Sequence, residues 1–210
     1  MTLFLFSAIP AAILFYVLKK LELPIGLFRT GILFVFLGII SGVIVSILNY
    51  KFPILNDLPT GSFNVFTYSI FNVGLVEEFA KFSLFQLGMF FIISKDFKSR
   101  NMIIFYSMMT ALGFALIENY SYAYVYGGKL LIGRSLISMP LHMCCGFIIG
   151  WYASSNKKWG TLIGLSVATL LHGIYDFFAF ESYRIFAIIT FGVALQYVFS
   201  RINTLKENGK

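Results

Sequence analysis

Long apolar runs separated by short charged segments dominate this sequence, and they decide what the chain can fold into. A run of about 20 apolar residues is long enough to cross the hydrocarbon core of a bilayer as an α-helix. Only 12% of the 210 residues are charged, against about 25% in soluble domains. Almost no chain is therefore left for a soluble domain. The sequence predicts an all-α, polytopic membrane protein in which residues 1–210 form a single transmembrane domain.

The gaps between charged residues divide the apolar sequence into seven segments of helical length. The predicted segments are Leu3–Leu18, Thr30–Tyr50, Phe63–Ser94, Met102–Tyr126, Ser135–Ser154, Gly160–Phe180 and Ile185–Ser200. The first segment lacks a preceding basic stretch, so we interpret it as a membrane span and not as a signal peptide. The fold class we predict is a bundle of about seven transmembrane helices.

Lysines and arginines fall unevenly on the two sides of this bundle. Eleven lie on the side that holds the C-terminus, and four lie on the other side. The positive-inside rule then predicts a cytoplasmic C-terminus and an N-terminus outside. The net charge of +7 is explained by these loops, so we expect the lipid bilayer and no nucleic acid as a partner.

Glycines spaced four residues apart occur in three of the predicted helices. Such Gly-x-x-x-Gly pairs allow two helix backbones to approach closely. The three pairs are Gly38 and Gly42, Gly146 and Gly150, and Gly160 and Gly164. We expect close helix contacts at these positions.

A few ionisable side chains interrupt the apolar runs. Between Leu58 and Ser94 the only charged residues are Glu77, Glu78 and Lys81. A charge at the centre of a spanning helix costs about 2.5–3.5 kcal/mol, so three cost roughly 7–10 kcal/mol. Residues of this kind usually face the bundle interior, pair with one another and mark a functional site.

Four predicted helices place ionisable groups at a similar depth. Counted from the outer end of each helix, Glu77, Glu118, His142 and His172 lie roughly 10–20 Å below the boundary, at 1.5 Å per residue. Unrelated structural polar residues would not be expected to share a depth. The pattern therefore predicts one polar site in the outer half of the membrane.

Spacing within the helices predicts local partners for these groups. Lys81 is four residues after Glu77 and three after Glu78, so it can pair with one carboxylate and leave the other available. Asp176 follows His172 by one helical turn and can orient its imidazole. Each pair alone would also fit a purely structural role.

Four short motifs in this polar set resemble the PrsW family of membrane proteases, relatives of the CAAX-processing and bacteriocin-processing glutamate proteases. The motifs are EEFAK at 77–81, FALIEN at 114–119, HMCCGFIIG at 142–150 and HGIYD at 172–176. They occur in the order of the family, within a motif-bearing core of about 63–180. The resemblance implies proteolysis of transmembrane protein substrates, such as single-pass anti-sigma factors, in the plasma membrane of a bacterium or archaeon.

The resemblance also implies roles for single residues. Glu77 or Glu78 would activate a water molecule, with His142 and His172 in the same site. The CAAX-type relatives carry a histidine where this chain has Glu118. That difference makes the site more acidic and better able to hold a metal ion.

Peptide hydrolysis needs a base that activates water, donors that stabilise the oxyanion and an acid for the leaving amine. We expect Glu77 to be the base and Glu78 to pair with Lys81, and the reverse assignment stays open. Glu118 could share the water. The candidate donors are His142, His172 with Asp176 as its orienting partner, and Asn119.

The favoured mechanism uses no cofactor. Zinc is the close alternative, because two histidines and a carboxylate match a catalytic zinc ligand set. Its ligands would be His142, His172 and Glu118. A non-catalytic membrane scaffold or a proton-coupled carrier would also place ionisable residues inside the bilayer.

Overall fold

The computed structural model describes residues 27–52, 58–91, 99–127, 131–155 and 157–207. All regular secondary structure in these ranges is helical, which confirms the predicted all-α class. The first predicted segment, Leu3–Leu18, lies outside the described residues, and so do residues 53–57 of the connection between the second and third segments.

The helices follow one another in the order that the apolar runs predict. They are α1 (Leu27–Lys51), α2 (Ser62–Tyr68), the π-helical segment π1 (Ser69–Leu75), α3 (Val76–Phe91), α4 (Arg100–Tyr126), the π-helical segment π2 (Arg134–Ser138), α5 (Met139–Ala153), α6 (Gly160–Phe180) and α7 (Arg184–Glu207). A helical turn at Leu131–Gly133 leads into π2. Because α2, π1 and α3 are continuous, they form one long helix from Ser62 to Phe91.

Five helices in the described part of the chain are long and apolar enough to cross a membrane. They are Arg29–Lys51, Arg100–Tyr126, Leu131–Ala153, Gly160–Phe180 and Arg184–Thr204, and they correspond to five of the seven predicted segments. The long helix Ser62–Phe91 corresponds to a sixth, and it contains Glu77, Glu78 and Lys81. The chain is a multi-pass membrane protein, whereas the total of seven spans and their orientation stay predictions.

Local sequence explains where helix α4 begins and ends. The Ser99 hydroxyl accepts a hydrogen bond from the Met102 amide at 3.3 Å, as a helix N-cap does. The helix ends at Gly127, whose φ of 79° suits a residue without a Cβ. Between these two residues α4 extends along the bundle and carries Glu118 to the site.

Glycines bring two pairs of helices into backbone contact. A Cβ on Gly38 of α1 would collide with the Thr110 carbonyl of α4, and a Cβ on Gly113 of α4 would collide with the Val35 carbonyl of α1. In the same way, a Cβ on Gly74 of π1 would lie 2.7 Å from the Thr169 oxygen of α6. Helices α1 and α4 therefore form one closely packed pair, and π1 and α6 form another.

The other predicted glycine contacts are also present. Gly146 and Gly150 of α5 pack on the α4 backbone, because an added Cβ would lie 2.9 Å from the Ser107 oxygen and 2.6 Å from the Ile104 Cα, respectively. Gly164 of α6 packs on α5 in the same manner. The prediction of close helix contacts is confirmed at these positions.

The two ends of the bundle are packed differently. We call the end that holds Lys51, Ser62, Tyr126 and Phe180 the outer end, because the lysine and arginine distribution predicts that it faces outward. Toward the opposite end, Phe34 of α1 stacks on Tyr106 of α4 with ring centroids 4.4 Å apart. Phe34 also packs on Phe85 of α3, and all three rings are fully buried. This part of the bundle, among the described residues, is therefore tightly packed.

Candidate active site

A cavity of about 660 Å³ lies between α1, π1, α4 and α6 in the outer half of the bundle. Its walls include apolar and aromatic residues such as Val45, Val73 and Tyr122. Tyr50, Leu58, Tyr126 and Phe180 line it at the outer end. The charged residues of its lining are Glu77, Glu118 and Asp176.

The Glu78 carboxylate is completely buried and accepts two hydrogen bonds through one oxygen. Its Oε1 lies 2.6 Å from Lys81 Nζ and 2.8 Å from His172 Nδ1. Burying a carboxylate is tolerable only when it is paired and hydrogen-bonded. Glu78 thus joins α3 to α6 beneath the cavity and is the closer of the two partners of Lys81, as the sequence predicts.

Lys81 continues this network to His142 of α5. Its Nζ lies 3.0 Å from His142 Nδ1. An ammonium group only donates hydrogen bonds, so Nδ1 must be the acceptor and the proton of the neutral ring must be on Nε2. His142 Nε2 lies 2.8 Å from Glu118 Oε2 and can donate to it. The contacts on both sides of the ring therefore specify the same tautomer.

Glu77 is the carboxylate that faces the cavity. It is 7% exposed, and its Oε2 has no hydrogen-bond partner among the described residues. Lys81 Nζ and His172 Nε2 lie 3.9 and 3.8 Å from that oxygen, which is too long for a hydrogen bond. Glu77 is thus held near two nitrogen atoms without being bonded to either.

His172 lies between two carboxylates. Its Nδ1 contacts Glu78, and its Nε2 lies 3.2 Å from Asp176 Oδ2. This is the one-turn pair that the sequence predicts. The His172 ring also meets the His142 ring edge to face, with centroids 4.8 Å apart. Both imidazoles are consequently fixed next to Glu77.

Arg134 is a member of the site that the sequence prediction missed. Its guanidinium forms an ion pair with Glu118 Oε1 at 2.7 Å, and its Nε donates to Asn119 Oδ1 at 2.9 Å. The positive-inside count places Arg134 in an outer loop, and a charge count cannot reveal that a residue at the first turn of a helix points inward. Its only sequence signal is its place at the start of the helix that carries His142.

The structure brings together all eight residues that the sequence predicts for the site. Glu77, Glu78, Glu118, His142 and His172 form its centre, and Lys81 and Asp176 hold it as expected. Asn119 Oδ1 accepts from Arg134, and its Nδ2 has no partner among the described residues, so its predicted role as a donor stays a prediction, although it is not among the described residues that line the cavity. The catalytic roles of these residues stay predictions.

The charges and donor atoms of the site also fit a divalent metal ion. The site contains four carboxylates and two cations, so its net formal charge is −2. The carboxylates belong to Glu77, Glu78, Glu118 and Asp176, and the cations are Lys81 and Arg134. Glu77, His142 and His172 offer ligand atoms that all lie within 4.8 Å of one another. This set differs from the predicted zinc ligands, because the two Glu118 oxygens contact Arg134 and His142 Nε2 and Glu77 takes the third place.

These observations define a multi-pass membrane protein with a buried glutamate and histidine site that is reached through a cavity inside its helical bundle. Residues 25–202 match the model of a family described as PrsW family intramembrane metalloprotease. The chain belongs to the PrsW family, as the four motifs predict.

Curated relatives agree with this assignment. Protease PrsW of Bacillus subtilis (strain 168) is 31% identical over 150 residues, which are 68% of this chain and 66% of the relative. Protease PrsW of Shouchella clausii is 34% identical over 100 residues (44% and 46%), and that of Clostridioides difficile is 33% identical over 123 residues (53% and 51%). The matches span about half to two thirds of the length of these relatives.

No solved structure matches the chain. The bacterial relatives and the apolar helices identify it as a multi-pass protein of the bacterial plasma membrane.

Proposed function

We propose that this protein is an intramembrane endopeptidase that cuts membrane-embedded or membrane-proximal segments of other proteins, such as single-pass anti-sigma-factor-like proteins. The observation that carries the proposal is the position of Glu77. Its carboxylate lines a cavity within the bundle, has an oxygen without a hydrogen-bond partner among the described residues, and has two imidazoles beside it. The relatives named Protease PrsW support the same activity.

In this proposal Glu77 is the general base. It takes a proton from a water molecule in the cavity, and the water oxygen then bonds to the carbonyl carbon of the scissile peptide. The proton passes to the leaving amine as the C–N bond breaks. Glu78 is less suited to this role, because it has no exposed surface and is not among the described residues that line the cavity, although its Oε2 also lacks a hydrogen-bond partner.

The oxyanion that forms on the carbonyl oxygen needs hydrogen-bond donors close to Glu77. His172 Nε2 and Lys81 Nζ lie 3.8 and 3.9 Å from Glu77 Oε2, and the His142 ring lies against His172. Asp176 and Glu78 fix the orientation of His172, whereas Lys81 and Glu118 fix that of His142. To donate to the oxyanion, His172 Nε2 would turn from Asp176 and His142 Nε2 from Glu118.

A zinc-dependent reaction is the second candidate, and the spacing of Glu77, His142 and His172 favours it. These three residues would hold the metal ion. A bound zinc would supply Lewis acidity and a more acidic water. His142 would first have to release Lys81, which lies 3.0 Å from its Nδ1, or bind through its other nitrogen and release Glu118.

The packing of the bundle argues against a carrier. A proton-coupled carrier must open its site to each side of the membrane in turn. Here the described residues Phe34, Phe85 and Tyr106 of the inner half are each at most 1% exposed, and Gly38 and Gly113 bring the backbones of α1 and α4 together. This tight packing favours access to the cavity from the outer end.

The position of the cavity also predicts where the substrate is cut. A substrate helix must unwind before its backbone can react. We expect cleavage near the extracytoplasmic boundary of the substrate's membrane segment, favoured by glycine or proline there. The connection before α2 is our candidate lid or substrate entrance. Its described residue Leu58 lines the cavity, and residues 53–57 lie outside the described ranges.

The test is proteolysis of a model single-pass substrate by the purified protein in liposomes. We expect cleavage by wild type, loss of at least 99% of the rate in Glu77→Gln, and normal cleavage in Glu181→Gln, a carboxylate at the outer surface that contacts Ser62. Mass spectrometry of the fragments locates the cut. Full activity of Glu77→Gln, or a wild type that cleaves no membrane substrate, would overturn the proposal.

A further inference from the structure

Arg134 makes more polar contacts with the site than its place at the start of a helix would suggest. Besides the ion pair with Glu118 and the hydrogen bond to Asn119 Oδ1, its guanidinium carbon lies 3.7 Å from the centroid of the Tyr122 ring. The side chain is only 18% exposed. Three different contacts from one helix, α4, therefore hold a side chain that is long and flexible in solution.

These contacts are strong ones for a side chain of this type. The ion pair brings Arg134 Nη2 to 2.7 Å from Glu118 Oε1 without hydrogen-bond alignment, so the attraction of opposite charges in a partly buried place holds it. Stacking on an aromatic ring adds to them. Holding an arginine still costs up to about 2 kcal/mol of rotamer entropy, and this set of contacts offsets that cost. The arrangement of Arg134 is thus well determined.

Glu118 divides its two oxygens between Arg134 and His142. Oε1 lies 2.7 Å from the guanidinium, and Oε2 lies 2.8 Å from His142 Nε2. Because a carboxylate is rigid and planar, holding Oε1 restricts the positions that Oε2 can take. Arg134 therefore helps to place the acceptor for the His142 proton.

The geometry points to Arg134 as a positioning residue of the catalytic centre: we propose that it anchors Glu118 so that Glu118 Oε2 accepts from His142 Nε2 and holds the ring in place. Arg134 itself does not touch the reacting atoms in this proposal. The inference rests on the proposed function only in so far as it concerns catalysis, since the effect on the His142 ring can be measured without a substrate.

The kinetic test compares Arg134→Gln and Arg134→Lys with Arg184→Gln. Arg184 is an exposed arginine at the outer start of α7 and serves as the matched control. We expect Arg134→Gln to lower kcat by about 10- to 100-fold, the range for partners that orient an active group, with less than about a threefold change in KM. Arg134→Lys should recover part of the rate, and Arg184→Gln should keep all of it.

A double variant separates positioning from folding. Glu118→Gln with Arg134→Gln removes both charges, so no buried charge is left without its partner. If the two residues act as one unit, the double variant should be no slower than Glu118→Gln alone. Multiplicative losses in the double variant would show that Arg134 acts independently of Glu118 and would overturn the inference.

The spectroscopic test uses the fact that the chain has only two histidines. Protein with ¹⁵N-labelled histidine and a histidine-free purification tag gives two imidazole spin systems, and a His172→Asn sample assigns them. Wild type should show His142 as the Nε2–H tautomer. Arg134→Gln should keep this tautomer, which the Lys81 ammonium fixes through Nδ1, but should shift the Nε2 resonance or broaden it by ring exchange, while Arg184→Gln keeps the wild-type spectrum.

The outcomes distinguish this inference from the proposed function. If wild type cleaves the substrate and Arg134→Gln is as fast and has an unchanged His142 spectrum, the positioning role is wrong and the protease stands. If wild type cleaves nothing but the His142 spectrum responds to Arg134→Gln, the proposed function is wrong and the contact network stands. If Arg134→Gln does not fold, the Arg134→Lys spectrum decides the question.

Discussion

The ammonium of Lys81 lies 3.0 Å from Nδ1 of His142, a residue on a different helix. The same nitrogen contacts Glu78 and lies 4.3 Å from the Phe114 ring centroid. Together with the contact between the His142 and His172 rings, Lys81 therefore links the half of the site built by α3 and α6 to the half built by α4 and α5. A side chain in this position supports the architecture of the site as well as its charge balance.

Replacing Lys81 with methionine should destabilise the protein. The change leaves the buried Glu78 carboxylate without its ammonium partner. Removing one member of a buried ion pair lowers the free energy of unfolding by about 3–5 kcal/mol. We expect a clear fall in the melting temperature in detergent and loss of activity. The control is Lys157→Met, at an exposed lysine, which should change stability by less than about 0.5 kcal/mol. Equal melting temperatures for the two variants would contradict the role of Lys81 in holding the site together.

The adjacent carboxylates should respond differently to the same change. Glu77→Gln should abolish cleavage with a loss of stability below about 1 kcal/mol, because Glu77 makes no hydrogen bond through Oε2 with the described residues. Glu78→Gln should lose activity and also about 3 kcal/mol or more of stability, because it breaks the buried contacts with Lys81 and His172. Melting curves and cleavage rates for both variants check this, and a more stable Glu78→Gln would reverse the two roles.

Chelation separates the two mechanisms. If Glu77 acts without a metal, activity should survive a strong zinc chelator, and metal analysis of the purified protein should find well under one equivalent. A zinc enzyme would instead lose activity on chelation and regain it with added zinc. In that case His142→Ala should lose both the metal and the activity, because His142 belongs to the donor set with Glu77 and His172.

Membrane topology can be tested independently of activity. A reporter fused after Lys210 should be cytoplasmic, and one inserted near Gly61, before α2, should be external, as the distribution of lysine and arginine predicts. Cysteine accessibility at the same two positions gives a second measurement. Both reporters on one side would contradict the number of spans and the predicted outward direction of the cavity.

The contact between α1 and α4 predicts a large effect from a single methyl group. Gly38→Ala would place a Cβ against the Thr110 carbonyl, and overpacking of this kind costs about 1–3 kcal/mol. Gly192→Ala in α7 is the matched control, since nothing lies within 4 Å of the added Cβ. It should be neutral or stabilising by up to about 1 kcal/mol. The melting temperatures of the two variants provide the comparison.

Much of the site follows from the sequence because charge in a membrane is costly. Glu77, Glu118, His142 and His172 are conspicuous in apolar runs, and their shared depth predicts that they meet. The spacing of Lys81 from Glu77 and Glu78 allows both pairs, and only the packing of α6 and α5 shows that Glu78 is the closer partner.

Other features depend on tertiary contacts that no local pattern encodes. Segments π1 and π2 both directly precede helices that carry site residues, and π-helical turns occur mostly at functional sites. Nothing in the sequence of Ser69–Leu75 distinguishes this π-helical segment from an ordinary α-helical turn. Arg134 was missed for the same reason, because its inward direction depends on Glu118, Asn119 and Tyr122 of another helix.

The aromatic packing at Phe34, Phe85 and Tyr106 also matters for the cell that carries the protein. An enzyme that brings water to acidic groups inside the membrane risks opening a path for protons and dissipating the gradient that drives ATP synthesis. Here three rings, each no more than 1% exposed, pack against one another between the cavity and the opposite end. The proposed hydrolysis in the outer half and electrical insulation in the inner half can therefore coexist in one small bundle.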